Sequence, residues 1–306
     1  TRKAIQLKPD FAEAYSNLGS ILKDLGKLKE AEVSVRQAIE INPDFAEAHS
    51  NLGTILKDLG KLKEAELSYR KALELNPDLA EGHYNLGIIL RGMGKLKEAE
   101  LSCRKAIELN PDFADAHSNL GNILSDLGNL KEAELSYRKA IEIKPDFVGA
   151  IWNLYGIANN IVEAEERINQ CLKMENNHLK AILSKSAIKL HQGDQSLFEK
   201  LIKSPHKDHH FMRSIKWVST LPKLPELFFN RWVFFDSMIN KSKKDRPFYE
   251  FGVWRGESFK YLINTFKKGF GFDTFEGLPE DWHSFKKGSY SAEGTIPKID
   301  GGTFIA

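Results

Sequence analysis

A repeat of 34 residues in the first half of the chain constrains its fold more than any other feature. Prolines recur at this interval, each followed by an aspartate, at Pro9, Pro43, Pro77, Pro111 and Pro145. Three further sets keep the same register: a Leu-Gly pair beginning at Leu18, an alanine beginning at Ala31, and another beginning at Ala38. A period of this length is typical of stacked supersecondary units, none of which buries its apolar face alone.

One unit, Ala12 to Phe45, has the pattern of two helices. Apolar or small residues occupy i, i+3, i+4 and i+7 of the first segment, which places them on one helix face: Tyr15, Leu18, Gly19 and Leu22. Ala31, Val35 and Ala38 repeat this spacing in the second segment. Gly26 falls between the two, where a left-handed residue commonly ends a helix. The sequence therefore predicts one helical hairpin per unit.

An acidic pair opens the first helix of most units. Asp44 and Glu47 are three residues apart, and Asp10/Glu13 and Asp78/Glu81 repeat the arrangement. This is the spacing of a capping box, in which two side chains satisfy the free backbone N–H groups of a helix start. We therefore expect Asp44 and its equivalents to be helix N-caps.

These repeats resemble the tetratricopeptide repeat (TPR) over about residues 1–203, and the pattern becomes degenerate after about residue 147. The resemblance implies a mainly α fold, an α-solenoid whose first helices line a concave groove that binds a protein or peptide. Thr1 to Pro9 matches the second half of a unit, so we expect the array to extend before Thr1.

An asparagine recurs on the predicted groove helices at Asn17, Asn51, Asn85, Asn119 and Asn153. A side-chain amide both donates to and accepts from a peptide backbone. The set resembles the asparagine ladder of O-linked N-acetylglucosamine transferases, which implies binding of an extended peptide. Alternatively, the asparagines bond only between neighbouring units.

Two other groove chemistries are disfavoured. A clamp for a C-terminal carboxylate needs Lys or Arg at positions that hold Ser16, Ser50, Ser20 and Thr54. A second ladder, His49, His83 and His117, provides one histidine per unit, and a metal site needs several ligands together. We expect these histidines to pack in the array, and we expect no metal.

Cys103 and Cys171 occupy core positions, which favours a role as small buried hydrophobes.

Beyond the array, residues 204–224 are predicted to be a solvated linker and residues 225–306 a second domain. Residues 225–241 read as a helix with a broad apolar side. A strand at Phe248, a glycine loop, a helix from Ser258 to Phe266 and a strand at Gly269 follow. This order predicts a truncated Rossmann-like α/β segment.

The loop lacks the glycine pattern of a dinucleotide site and the Gly-Lys-Ser/Thr of a phosphate-binding loop. The motifs EFGVWRGES and GFDTFEGLPEDW instead resemble macrocin O-methyltransferase-like enzymes, which use S-adenosylmethionine (SAM). By that resemblance, Glu250, Gly252 and Gly256 shape the methionine end of the SAM site, and Asp273 binds the ribose. A Rossmann-like sheet with another ligand remains an alternative. Further strands, with the catalytic residues, are expected beyond Ala306, so we expect weak SAM binding from these residues alone.

Three functions are compatible with these patterns: a peptide-binding scaffold fused to a methyltransferase, a pure scaffold with an inactive terminal domain, or a protein related to O-linked N-acetylglucosamine transferases. The net charge of +2 argues against nucleic-acid binding through bulk electrostatics. The most apolar stretch, Leu224 to Ile239, is too short and too charged to span a bilayer. We therefore expect a cytoplasmic protein without a membrane or nucleic-acid partner.

Overall fold

The computed structural model describes residues 2–221, 224, 226–251, 257–272, 296 and 298–305. The chain divides into two compact units, Thr1–Pro225 and Glu226–Ala306. We call them the array and the C-terminal unit. Sixteen helices and three strands form the described part of the chain, which is therefore mainly α as predicted.

The array is built of helical hairpins in sequence. Its helices are α1 (Arg2–Leu7), α2 (Ala12–Asp24), α3 (Leu28–Ile41), α4 (Ala46–Asp58), α5 (Leu62–Leu75), α6 (Ala80–Gly92), α7 (Leu96–Leu109), α8 (Ala114–Asp126), α9 (Leu130–Ile143), α10 (Val148–Tyr155), α11 (Ile161–Met174), α12 (Leu179–His191), α13 (Ser196–Leu201) and α14 (His210–Ser219). The pairs α2–α3, α4–α5, α6–α7, α8–α9 and α10–α11 are repeats 1 to 5. In repeats 1 to 5 the two helices of a hairpin pack most closely on each other, and the second helix packs next on the first helix of the following hairpin.

The two helices of a repeat approach closely at the predicted small residues. A Cβ placed on Gly121 would lie 2.5 Å from the ring of Tyr137, and one on Gly19 would lie 2.2 Å from Val35. Alanines on the second helices, such as Ala31 and Ala133, are completely buried. The repeated Leu-Gly and Ala positions are therefore the contact surface of each hairpin.

The turn within a hairpin depends on glycine, as predicted. Gly26 has a φ of +73°, and Gly60, Gly94 and Gly128 have similar values. Other residues rarely adopt this left-handed conformation.

The predicted capping boxes are wrong. The N-caps of α4, α6 and α8 are Phe45, Leu79 and Phe113, without a side-chain capping bond. Asp44 instead donates its backbone N–H to the Oδ1 of Asn42 at 3.2 Å. The Asn-Pro-Asp segment therefore stabilises its own turn, and the helix begins one residue later than the box requires.

Ion pairs connect the second helices of successive repeats. Arginines bridge to the next repeat as Arg36–Glu64, Arg70–Glu98 and Arg104–Glu132. Lys61 and Lys95 reach back to Glu32 and Glu66 at 3.0 and 2.8 Å. Asn129 occupies the next lysine position, so this second series ends after two members.

The last part of the array differs from the predicted linker at 204–224. The degenerate hairpin α12–α13 is present, but α14 follows within the supposed linker. Met212 and Ile215 of α14 are buried against Leu183 and Leu190 of α12. The Lys- and His-rich composition predicts a linker, but the segment forms a short amphipathic helix in which Met212 and Ile215 are buried.

The C-terminal unit contains α15 (Arg231–Lys241), β1 (Phe248–Phe251), α16 (Glu257–Phe266), β2 (Gly269–Phe272) and β3 (Gly302–Ile305). The strands form one parallel sheet in the order β1-β2-β3. Two of these strands were predicted, and β3 is additional. Helix α15 begins later than the predicted residue 225, because Asn230 caps it by accepting the backbone N–H of Trp232. A small three-stranded sheet is present, whereas a larger Rossmann-like fold is not shown.

Among the described residues, no helix combines the length and the apolar character needed to cross a membrane.

Candidate functional site

The first helices of the repeats form the inner layer of the array. Helices α2, α4, α6, α8 and α10 contact one another in succession. Between described second helices of successive repeats, contacts are fewer. In a stack of hairpins, the layer whose helices lie closer together is on the concave side. The inner face is therefore the side of the first helices that lines the concave groove.

Each first helix carries two stripes. One is apolar and packs in the core, as Leu22 and Leu56 do. The other is the inner face and includes Glu13, Asn17 and Ser20 of α2, whose spacing of i, i+4 and i+7 places them together. The predicted asparagine ladder thus lies on the inner face.

The five asparagines differ in exposure. Asn17 is exposed, Asn51, Asn85 and Asn153 are half-buried, and Asn119 is only 7% exposed. The amide nitrogen of Asn51 donates to Ser16 Oγ at 3.0 Å, and that of Asn119 donates to Cys103 Sγ at 3.2 Å. Two members of the ladder therefore bond between neighbouring repeats, as the alternative interpretation holds.

The other three asparagines are available for a ligand. The amides of Asn17, Asn85 and Asn153 make no hydrogen bond within the described part of the chain, and each is at least partly exposed. A side-chain amide has two N–H donors and an oxygen with two lone pairs. Three full sets of donors and acceptors therefore line the inner face at repeats 1, 3 and 5.

Side chains next to the ladder change from repeat to repeat. Repeats 1, 2 and 4 have a serine one residue before the asparagine, namely Ser16, Ser50 and Ser118. Repeats 3 and 5 have Tyr84 and Trp152 there, both half-buried. Sequence reasoning missed these two residues. They could have been found in the sequence, because each replaces the serine that the other repeats have at a position next to the ladder.

A second position on the inner face pairs with the core. Thr54 Oγ1 lies 2.9 Å from the hydroxyl of Tyr69, and Tyr137 donates to Asn122 Oδ1 at 2.9 Å. In repeat 3 the equivalent residues are Ile88 and Cys103, so neither partner has a hydroxyl. A buried tyrosine hydroxyl needs a partner, which explains the polar residue wherever the core position is tyrosine.

The histidines and cysteines have structural surroundings. The Nε2 atoms of His49, His83 and His117 lie 2.8 to 2.9 Å from the carbonyl oxygens of the preceding prolines, which fits the packing role. Within the described residues, no cluster of His, Cys, Asp or Glu could hold a metal ion. Cys103 and Cys171 are buried, as predicted, and burial raises the pKa of Cys103 to about 12 and that of Cys171 to about 11.

Of the four residues predicted to hold SAM, only Glu250 lies within the described part of the chain. Gly252, Gly256 and Asp273 lie outside it. Glu250 belongs to β1, and its Oε1 accepts a hydrogen bond from the hydroxyl of Ser258. Its Oε2 is buried without a hydrogen-bond partner among the described residues. Burial raises the pKa of Glu250, and the Ser258 hydrogen bond opposes that shift.

Family models for tetratricopeptide repeats match most of repeats 1 to 4. One, described as TPR repeat, matches residues 19–60 and 53–94, and another, described as tetratricopeptide repeat, matches 80–113 and 114–147. The chain contains tetratricopeptide repeats. TPR proteins bind peptide or protein partners, so a TPR scaffold for protein interaction is the function that these matches support.

Several solved structures are similar to this TPR array. YrrB, described as "a TPR protein with an unusual peptide-binding site", is 25% identical, with a TM-score of 0.50 over 60% of this chain and 97% of YrrB. PilF of Pseudomonas aeruginosa is 20% identical, with a TM-score of 0.60 over 67% of this chain and 96% of PilF. PilW, a type IV pilus biogenesis factor, is 19% identical, with a TM-score of 0.62 over 67% of this chain and 98% of PilW. The last two show similarity of fold alone.

No curated protein sequence matches the chain significantly. The matched TPR models end at residue 147. The resemblances to O-linked N-acetylglucosamine transferases and to methyltransferases therefore rest on the sequence motifs.

Proposed function

We propose that the TPR array binds an extended peptide along its inner face through the asparagine ladder. The observation that carries this proposal is the set of amides at Asn17, Asn85 and Asn153. They lie in register, they are accessible, and they make no hydrogen bond within the described chain. The similarity to YrrB, a TPR protein with a peptide-binding site, supports the same class of ligand.

The spacing of the ladder suits an extended backbone. Helices that pack side by side have axes roughly 8–10 Å apart. Three residues of a polyproline II segment rise about 9.3 Å, so each repeat corresponds to about three peptide residues. Each amide can then donate to one peptide carbonyl and accept from one peptide N–H, without reference to the peptide's side chains.

The test compares one triple variant and one single control variant with the unchanged chain. Asn17→Ala, Asn85→Ala and Asn153→Ala are combined, since these residues hold no bond in the array. Asn51 and Asn119 are left intact because their loss would weaken contacts between repeats. Asn129→Ala is the matched control, since Asn129 is exposed at the start of a second helix.

The probe is a phage-displayed library of random 12-residue peptides, and the affinities of selected peptides are measured by fluorescence anisotropy. Each hydrogen bond contributes about 0.5–1.5 kcal/mol, so the triple variant should bind selected peptides at least about tenfold more weakly. Asn129→Ala should bind them as the unchanged chain does. A library that yields no binder, or a triple variant of equal affinity, contradicts the proposal.

We also propose that the C-terminal unit belongs to a SAM-dependent methyltransferase domain, which by its resemblance transfers a methyl group to an oxygen atom. Two observations favour it. The three strands are parallel and are added in chain order at one edge, as in half of a doubly wound sheet. The buried, unpaired Oε2 of Glu250 is an acceptor on β1 that a donor group of a ligand would satisfy.

In this second proposal Glu250, Gly252 and Gly256 hold the methionine end of SAM, and Asp273 holds the ribose. SAM supplies the methyl group that is transferred. Calorimetry with SAM and, separately, with NAD tests this proposal. Asp273→Ala should weaken SAM about tenfold or more, because a charged hydrogen bond contributes about 1.5–3 kcal/mol. Tight NAD binding, or no SAM binding, would leave the scaffold function alone.

A further inference from the structure

The inner face is not uniform along the array, and its aromatic residues occur at two places. Tyr84 of α6 and Trp152 of α10 occupy the position that is Ser16, Ser50 and Ser118 in the other repeats. Ile88, one helical turn after Tyr84, is also half-buried on the inner face. Repeat 4, which lies between the two aromatic positions, keeps its serine.

Both aromatic side chains are held by neighbouring rings. The ring centroid of Tyr84 lies 4.9 Å from that of Phe113. Trp152 lies 4.7 Å from Tyr155 and 5.2 Å from His178. Aromatic rings that are half-buried and restrained present apolar area at low entropic cost, which is typical of the residues that dominate binding at interfaces.

The charges of the inner face are unequally compensated. Its cations have anionic neighbours: Lys23 lies 3.4 Å from Asp24, Lys57 lies 3.8 Å from Asp58, and Arg91 lies 2.7 Å from Asp126. A row of carboxylates in the first turns is exposed and forms no ion pair within the described residues: Glu13, Glu47, Glu81 and Asp115. The face therefore favours a cationic ligand.

We infer that the ligand of the groove is a basic, extended peptide with two apolar side chains about six residues apart. One apolar side chain packs on Tyr84 and Ile88, and the other packs on Trp152. Two steps between adjacent first helices span roughly 16–20 Å, which six extended residues cover at about 3.1–3.3 Å each. This inference rests on the proposed peptide binding and specifies the peptide.

The probes are fluorescein-labelled 16-residue peptides of Lys, Ser and Gly with two phenylalanines separated by three to ten residues. We expect the tightest binding at a spacing of six, at least about tenfold tighter than at four or eight. Tyr84→Ser and Trp152→Ser should each remove the preference for spacing. Serine occupies this position in three repeats, so the fold is expected to persist, and circular dichroism checks this.

A relocation variant makes the test independent of any loss of folding. Ser50→Tyr combined with Tyr84→Ser moves the first aromatic residue one repeat further from Trp152. The preferred spacing should then shift from six to about nine. Replacing each lysine of the best peptide by glutamate should weaken binding at least fivefold, and Glu47→Gln with Glu81→Gln should reduce that difference.

The outcomes separate this inference from the proposed function. Suppose that peptides from the random library bind, but the designed set shows no optimum at a spacing of six or no shift in the relocation variant. That result overturns the two-anchor inference and leaves peptide binding intact. Failure of both the library and the designed set to bind overturns both. Preference for acidic peptides overturns the assignment of charge.

Discussion

The hydrogen bond between Thr54 and Tyr69 connects the inner face to the core, and its contribution to the stability of the array can be measured directly. Tyr69 is completely buried. Thr54 Oγ1 donates to the carbonyl oxygen of Ser50 at 3.3 Å, and it accepts from the Tyr69 hydroxyl at 2.9 Å. Thr54→Val keeps the shape of the side chain but leaves the tyrosine hydroxyl without a partner.

The expected free energies follow from which groups lose a partner. Leaving a buried hydroxyl unpaired costs about 1–3 kcal/mol, whereas removing both partners of a hydrogen bond is nearly neutral. Thr54→Val should therefore destabilise the array by about 1–3 kcal/mol, and Thr54→Val combined with Tyr69→Phe should be close to the unchanged chain. Repeat 3 already carries such an apolar pair, Ile88 and Cys103, at the equivalent positions.

Repeat arrays do not always unfold in one step, so the assay needs a local readout. Urea denaturation gives the total stability, and hydrogen exchange of the α4 and α5 amides gives the free energy of opening repeat 2. The control is the Tyr69→Phe single variant, which should lose less than Thr54→Val. A double variant as unstable as Thr54→Val alone would refute the reasoning, because the cost would then not come from the unpaired hydroxyl.

Three further predictions concern the stability of the array. Asn129→Lys should create an ion pair with Glu100 and raise the free energy of unfolding by about 0.3–1 kcal/mol; urea denaturation in low salt and in 1 M NaCl should show the gain only in low salt. Gly121→Ala should lower the free energy of unfolding by a net of about 1–2 kcal/mol, because its Cβ would lie 2.5 Å from the buried ring of Tyr137. Gly92→Ala should raise it by up to about 1 kcal/mol, because a Cβ there would meet no other group within 4 Å. Thermal denaturation of the two variants checks both. Burial raises the pKa of Tyr69 from 10.0 to about 12. The unfolded chain therefore releases this proton at a lower pH than the folded chain, and stability should fall as the pH rises from 10 to 12. The Tyr69→Phe variant should show a smaller fall in urea midpoint over that range.

The repeat period made most of the array predictable from the sequence. Identical spacing of small and apolar residues leaves one way to stack hairpins, and Gly26 fixes where each turn falls. Local hydrogen bonds were harder to predict, because Asp44 has two possible partners and the Asn-Pro-Asp turn competes with the helix start. Helix α14 was not predicted for a different reason. Met212 and Ile215 are its buried residues, and their role in the core is recognisable only from their packing on α12. The sequence also could not tell which asparagines bond within the array, since the five occupy identical positions in the repeat and, in the part of the chain that the structure describes, only Asn51 and Asn119 bond to a neighbouring repeat.

Variation within the repeat distinguishes residues that build the array from those available for recognition. At the position of Thr54, the polarity of the residue follows the core partner: Thr54 and Asn122 bond to Tyr69 and Tyr137, whereas the apolar Ile88 accompanies Cys103. Tyr84 itself has no such compensation: the ring that it contacts, Phe113, is also phenylalanine at the equivalent place before α4 and α10, where the preceding repeat has a serine. A large residue that replaces a small one without a matching change inside the array is not required for packing. Because Tyr84 and Trp152 flank a repeat that keeps its serine, the distance between them, and not the number of aromatic residues, is the property that a peptide ligand would have to match.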